Sequence, residues 1–232
     1  MSIKENLSIV LDKIDKVAQK ADRNPNDIKL LAVTKTHAAE VVDEAIAAGA
    51  RFIGENKIQE SEDKLAKLKE QYTEFHYIGH LQSNKIKKLM PLKPTLIHSI
   101  DKISTAKKLN NYLETNGVTQ DILIQINTSG EISKFGINPL DTESFIKELS
   151  KFNNIRVKGM MTIGLNSDNE EKIRAGFREL KTLFDKYKTN PYSNIEMKYL
   201  SMGMTSDFEI AIEEGANIVR IGSAIFGNRI YK

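Results

Sequence analysis

Apolar positions in this chain change their period once, early on. Ile3, Leu7, Val10, Leu11, Ile14, Val17, Ala18 and Ala21 recur at helical spacing. That spacing predicts an amphipathic helix that must lie on something. Asn24-Pro25-Asn26 ends it. Beyond it, short apolar runs at 29–34, 52–54, 75–79, 95–98, 122–127, 156–161, 197–201 and 218–221 read as strands. Helical patterns fall between them at 38–48, 57–70, 83–90, 102–114, 141–151, 170–187 and 206–214, with a short remnant at 223–229. Such alternation implies parallel strands joined by crossover helices. The pattern predicts an α/β fold, a (β/α)8 TIM barrel with an extra N-terminal helix.

Length agrees: the chain has 232 residues, and such barrels typically need ~250. No Pro/Gly/Ser-rich linker divides it, so 1–232 reads as one barrel domain. The longest irregular stretch is 128–138, around Ser129-Gly130-Glu131, and loops of that length are often functional or mobile. A doubly wound open sheet is the alternative, but no G-x-G-x-x-G follows the first strand.

Composition narrows the function classes. Net charge is +3 and the lysines are spread rather than blocked, which argues against nucleic acid. Cysteine is absent, which excludes disulfides, thiolate metal sites and a cysteine nucleophile. Residues 1–5 carry no long apolar segment, and no stretch is long enough to span a bilayer. The expectation is a cytoplasmic, soluble protein with no membrane partner and no metal.

A barrel puts its site at the C-terminal ends of the strands and favours phosphate at the loops after strands 7 and 8. Closure also makes strand 8 the neighbour of strand 1, about 4.8 Å away. After strand 7 comes Ser201-Met202-Gly203-Met204-Thr205-Ser206-Asp207-Phe208-Glu209. Ser206 with Glu209 reads as a capping box that starts a helix. Gly203 lets backbone approach a ligand, and Ser201 and Thr205 offer hydroxyls. After strand 8 comes Arg220-Ile221-Gly222-Ser223, again glycine then a small hydroxyl residue. Two adjacent helix starts suit a phosphate dianion; the alternative is two plain caps.

Lys35 stands next door, at the end of strand 1. An amine beside a phosphate site is the layout for a Schiff base with pyridoxal 5′-phosphate. The alternatives are a strand-end charge or a phosphate counter-ion. Arg220 interrupts an apolar run, and a guanidinium only donates, so a pyridine nitrogen beside it would stay unprotonated. Its alternative is a salt bridge on the barrel floor. Asn56 donates to a ring oxygen or caps a helix. Further candidates are His80, in the turn after strand 3, and Lys134, a second amine near the mouth or a solvated one. Met160, Met161, Met202 and Met204 read as an adaptable apolar wall or as core filler. His76 and His80 lie on a strand and turn, so helical metal-ligand spacing does not apply.

Several of these segments together resemble the pyridoxal phosphate homeostasis protein family. They are Val33-Thr34-Lys35-Thr36, Gly54-Glu55-Asn56-x-x-Gln59, His76-Tyr77-Ile78-Gly79-His80-Leu81-Gln82-Ser83-Asn84-Lys85 and Ser133-Lys134-Phe135-Gly136, followed by Gly159-Met160-Met161, Ser201-Met202-Gly203-Met204-Thr205-Ser206-Asp207 and Arg220-x-Gly222-x-x-Ile225-Phe226-Gly227. The resemblance implies a barrel like that of alanine racemase and other fold-type III enzymes. It implies pyridoxal phosphate on Lys35 as a Schiff base, with its phosphate at Ser201, Gly203, Thr205, Gly222 and Ser223. Arg220 would face the pyridine nitrogen. It further implies a cofactor carrier without established turnover, supplying apo-enzymes, here expected as a monomer. The sequence stops at Lys232, leaving no room for the second domain of a racemase, which favours carrier over racemase. The rivals are a small pyridoxal phosphate-dependent racemase or lyase, and a cofactor-free barrel using Lys35 for aldol-type chemistry.

Overall fold

Eight parallel strands close in sequence order, β1-β2-β3-β4-β5-β6-β7-β8, with β1 paired to β8. The computed structural model describes residues 1–131 and 133–227. The strands are β1 Lys29–Val33, β2 Phe52–Glu55, β3 Glu74–Tyr77, β4 Leu96–Ile100, β5 Gln120–Gln125, β6 Ile155–Met161, β7 Ile195–Ser201 and β8 Ile218–Ile221. The α-helices are α1 Ile3–Lys20, α2 Ala39–Ala47, α3 Ile58–Leu65, α4 Ile86–Leu89, α5 Ile103–Thr115, α6 Thr142–Leu149, α7 Glu170–Lys186, α8 Phe208–Glu213 and α9 Ser223–Phe226. The barrel expected from the alternation is therefore present, with every expected strand in place.

The extra helix α1 starts with a true capping box: Ser2 and Glu5 bond each other's backbone amides. It buries Leu7, Val10, Ile14 and Val17 and packs on α8 and α9. Arg23, just past its end, donates to the carbonyls of Ile212 and Ala216 at 2.7 Å, which satisfies carbonyls at the end of α8.

Helices between 57 and 92 are shorter than the pattern predicts. α3 stops at Leu65, and the expected 83–90 helix is one α-turn flanked by 3₁₀ turns at Ser83–Lys85 and Met90–Leu92. Pro91 accounts for the second break, since proline lacks a donor and cannot continue a helix. The remnant predicted for 223–229 is a single turn over Ser223–Phe226; residues 228 and 229 lie outside the described residues, as does Ile132.

Successive side chains on a strand point to opposite faces, so the strands carry two cores. Outside the barrel, strand residues such as Ile97, Ile122 and Met160 share one large apolar cluster with helix residues such as Phe177 and Leu180. Inside, Leu31, Leu96, Leu123, Met161 and Ile218 form a small apolar cluster with Phe52 and Tyr199 against it. The interior also holds buried Arg220, His76, His98 and Ser201. No helix among the described residues is long and apolar enough to cross a membrane.

Candidate functional site

Lys35 lies two residues beyond β1 and is half-buried. Both of its neighbours are held. Thr34 Oγ1 donates to Glu55 Oε1 at 2.5 Å, and Lys64 Nζ donates to the Thr34 carbonyl at 2.6 Å. Lys64 also meets Glu55 at 2.5 Å and Glu60 at 3.0 Å. On the other side, the Thr36 amide donates to Glu60. Thr36 has φ 69°, a left-handed conformation that is a genuine outlier for a β-branched residue. Such strain persists only where the surroundings over-determine the backbone, and here carboxylates and a buried lysine do so. Burial pushes the Glu55 carboxyl above the usual carboxylate range, against the pull of Lys64.

Barrel closure delivers the next neighbours. Leu31 pairs with Arg220 and Ala32 with Ile221, so the turn after β8 sits beside the end of β1. Val33, Lys35, His37, Gly222, Ser223 and Gly227 line one small cavity of about 20 Å³. That is room for about one water. A Cβ on Gly222 would stand 3.3 Å from the Val33 carbonyl, so a side chain there would crowd the cavity wall. His37 stacks on Phe226, ring centroids 4.6 Å apart, and ties this turn to α9.

The turn after β7 differs from its sequence reading. Ser206 caps nothing: the N-cap of α8 is Asp207, without a side-chain cap bond, and the helix begins at Phe208. Asp207 instead turns back, and its Oδ1 accepts from the Met204 amide at 2.6 Å. A buried aspartate that needs a donor competes successfully with an exposed serine for the turn. Gly203 is required for a packing reason. Its φ is +89°, and a Cβ would lie 2.5 Å from Ala211 Cβ. Thr205 is half-buried and Ser223 exposed, both at the ends of their strands' turns.

Ser201, expected among the phosphate ligands, is fully buried and lies level with Ile218 in the β7–β8 pairing, deeper than Gly222. Its hydroxyl accepts from Arg220 Nη1 at 2.7 Å and stands 3.1 Å from His98 Nδ1. Arg220 Nη2 donates to the Thr162 carbonyl at 2.8 Å. Among the described residues Arg220 makes no ion pair, so the salt-bridge alternative is not realised. Burial lowers its pKa to about 10, against the opposing pull of Asp207.

Of the two readings open for Met160, the structure favours core filler: it packs in the layer between barrel and helices, whereas Met161 belongs to the interior cluster. The β6 pairings slip on both sides, near Ile122/Ile124 and Val157/Gly159, and a one-residue slip moves side chains to the other face.

Asn56 caps no helix, since α3 has Lys57 at its N-cap. Its Oδ1 is buried with no hydrogen-bond partner among the described residues. An orphaned amide end at a strand terminus leaves room for a ligand's polar group. Asn56 and His80 line one groove of about 300 Å³. The His80 ring stacks on Phe135 at 3.8 Å, and the Asp101 carboxylate stands 3.7 Å from its Nδ1. Lys134 is not simply solvated: it donates to the Gly164 carbonyl at 2.8 Å and pairs with Glu131 at 2.6 Å, which draws the long loop over the end of β6. Among the described residues no group of three or more His, Asp or Glu stands together to hold a metal.

One feature was missed from the sequence altogether. His76 and His98 join Glu74 to Ser201 through the barrel interior, by contacts of 2.7, 2.9 and 3.1 Å. The available signal was a polar residue inside each of four apolar runs.

An eight-stranded closed barrel with an amine at the end of β1 and glycine turns after β7 and β8 defines a barrel of the alanine racemase type. The family model described as alanine racemase, N-terminal domain, matches residues 6–229. The chain is 41% identical over 231 residues to the pyridoxal phosphate homeostasis protein of Aquifex aeolicus, covering 100% of both chains. It therefore belongs to the pyridoxal phosphate homeostasis protein family. Among solved structures, a protein of unknown function from Bifidobacterium adolescentis superposes with TM-score 0.90 at 36% identity, covering 96% of this chain and 94% of that one. PipY of Synechococcus elongatus, solved with pyridoxal phosphate bound, superposes with TM-score 0.78 at 29% identity, covering 93% of this chain and 100% of PipY.

Proposed function

We propose that this chain binds pyridoxal 5′-phosphate on Lys35 and serves as a carrier that supplies it to apo-enzymes. The observation that carries the reading is the shared cavity of Lys35, Gly222 and Ser223. It sets an amine against the turn expected to take phosphate. The orphaned Asn56 Oδ1 and the buried Arg220 fit the same ligand, which has a polar ring substituent and a ring nitrogen. The bound PipY structure and the name of the Aquifex relative support the choice of cofactor.

When bound, the cofactor supplies an aldehyde carbon. Lys35 would hold that carbon through its side-chain nitrogen, with loss of water, in a link that hydrolysis reverses. Gly203, Thr205, Gly222 and Ser223 offer amides and hydroxyls to the phosphate. Arg220 offers only donors, so a ring nitrogen beside it accepts and stays unprotonated. Reversible attachment and an open mouth suit storage and handover. A monomer fits the scatter of large exposed apolar side chains: Ile9 and Leu11 on α1, Val118 before β5, Phe135 and Leu140 near the long loop. The working place is the cytoplasm, in line with the absence of cysteine.

The test is the visible absorbance of protein loaded with pyridoxal phosphate, before and after borohydride. A chromophore that borohydride fixes to the Lys35 peptide, and that Lys35→Ala abolishes, is expected. Protein that never takes up the cofactor overturns the reading. Reactivation of an apo-enzyme faster than by the same concentration of free cofactor tests supply. Amino-acid turnover that scales with protein and dies in Lys35→Ala would move the reading to a small racemase or lyase.

A further inference from the structure

The Glu74 carboxylate can only accept hydrogen bonds and Arg220 can only donate them, and with neutral imidazoles between, those two ends order a whole chain of contacts. Arg220 Nη1 donates a hydrogen bond to Ser201 Oγ at 2.7 Å. The Ser201 hydroxyl is then free to donate to His98 Nδ1, 3.1 Å away. His98 Nδ1 must be bare to accept it, so a neutral His98 carries its proton on Nε2. That proton points at His76 Nδ1, 2.9 Å away, and His76 in turn donates from Nε2 to Glu74 Oε2 at 2.7 Å. Glu74 also pairs with Lys29 at 2.5 Å. Every donor from Arg220 to Glu74 thus points the same way. The three middle groups are almost fully buried, at 0%, 0% and 1% exposure for Ser201, His98 and His76.

We infer that His98, backed by His76, is a positioning residue for the cofactor site: through Ser201 it fixes the Arg220 guanidinium and couples it to the Lys29–Glu74 pair across the barrel interior. The inference rests on the proposed binding of pyridoxal phosphate, because the end that matters is the guanidinium offered to a ring nitrogen. With His98 in place, Arg220 keeps one orientation and its remaining N–H groups are committed to one direction. Burial holds both imidazoles below their ordinary range, in agreement with neutral rings. The charged groups around the chain are Lys29 on β1, Glu74 on β3, Arg220 on β8 and Asp207 after β7, with Lys134 reaching Asp207 from the long loop.

Nitrogen-15 NMR of the imidazole rings in the full chain reads the tautomers without any cofactor. Both rings are expected neutral with the proton on Nε2 at neutral pH. A cationic ring, or a proton on His98 Nδ1, overturns the inference. The Arg220 guanidinium proton signal should be protected in the wild type and broadened in His98→Phe and in Ser201→Ala. The second variant serves if the first fails to fold. In protein loaded with pyridoxal phosphate, His98→Phe should shift the visible absorbance and weaken retention about tenfold, as a misdirected Arg220 gives up one hydrogen bond to the ring nitrogen. His98→Asn, whose carbonyl can stand where Nδ1 stood, should restore the spectrum. An unshifted spectrum and unchanged retention in both His98→Phe and Ser201→Ala would show the chain to be structural only. Should the wild type bind no pyridoxal phosphate, the functional reading fails, while the tautomers and the Arg220 signal still decide the positioning.

Discussion

The Thr34–Glu55–Lys64–Glu60 cluster and the Glu74–His76–His98–Ser201–Arg220 chain approach the same barrel mouth, one beneath Lys35 and the other behind Arg220. The first buries full charges in direct contact: Lys64 and Glu55 side chains are 4% and 0% exposed and 2.5 Å apart. The second buries neutral imidazoles and a hydroxyl between its charged ends. A buried ion pair is costly to desolvate and very costly to break, which suits a clamp on a strained backbone. A run of neutral groups costs less and has a direction, which suits the orientation of one guanidinium.

Removing one member of the clamp should produce the largest effect. Lys64→Met leaves Glu55 buried without its cation, a loss of about 3–5 kcal/mol. Denaturant unfolding measures it. Lys64→Met with Glu55→Met should regain much of that loss, since an apolar pair of similar volume carries no desolvation penalty. If Lys64→Met costs under ~1 kcal/mol, the cluster behaves like a surface ion pair and the contrast with the histidine chain collapses.

Acid should separate the two regions next. His76 and His98 are held below the ordinary imidazole value of 6.5 by burial. As pH falls through that value, the unfolded chain takes up protons that the native rings refuse, so native stability declines. Each ring contributes as much as ~1.4 kcal/mol per pH unit. Glu74 follows at lower pH. Its hydrogen bond from His76 holds its pKa at about 2, so its contribution is complete above its ordinary value of 4.5 and fades as pH drops toward about 2. Glu55 runs the other way. Its raised pKa makes its protonated form the better folded one, so its contribution is greatest in acid and fades as pH rises through that pKa. Stability curves at pH 7, 6 and 5 for wild type and His98→Phe test this, and the variant should show the shallower acid slope.

Gly203→Ala should cost somewhat less, about 2 kcal/mol. The added Cβ meets Ala211 Cβ at 2.5 Å and sits at φ +89°. Because Gly203 accepts the Arg220 amide, the same change should disturb the histidine chain more than the lysine clamp. Thermal unfolding together with the His98 ring signal would show whether it does.

Legibility in sequence followed how local each cause was. Strand and helix order came from periodicity, which is a property of neighbouring residues. Lys35 and Gly222 could be paired because barrel closure is a topological rule. His98 could not be read, because one histidine in an apolar strand resembles a core substitution until β3, β4, β7 and β8 are laid around it. The depth of Ser201 could not be read either, because the sequence shows that it ends β7 and not what surrounds its hydroxyl. Which of Met160 and Met161 faces the interior could not be read, because the β6 register slips are announced by no local pattern. The Ser206–Glu209 box had the right spacing and lost to Asp207, whose partner was a backbone amide three residues back.

The smallest expected effect isolates the strain at Thr36. A non-glycine residue at φ 69° costs roughly 1–2 kcal/mol, and Thr36→Gly removes that cost. Glycine also gives the unfolded chain more freedom, worth about 0.4–1 kcal/mol. The amide that Glu60 accepts survives the change. The two contributions oppose, so stability should move by less than ~1 kcal/mol. If the clamp holds Lys35 through backbone hydrogen bonds, cofactor retention should stay near the wild-type value as well. A drop in retention with stability intact would instead credit the Thr36 side chain, whose hydroxyl donates to the Lys35 carbonyl at 2.5 Å. The clamp would then act through that hydroxyl as well as through Glu60, and Thr36→Ser should recover what Thr36→Gly lost.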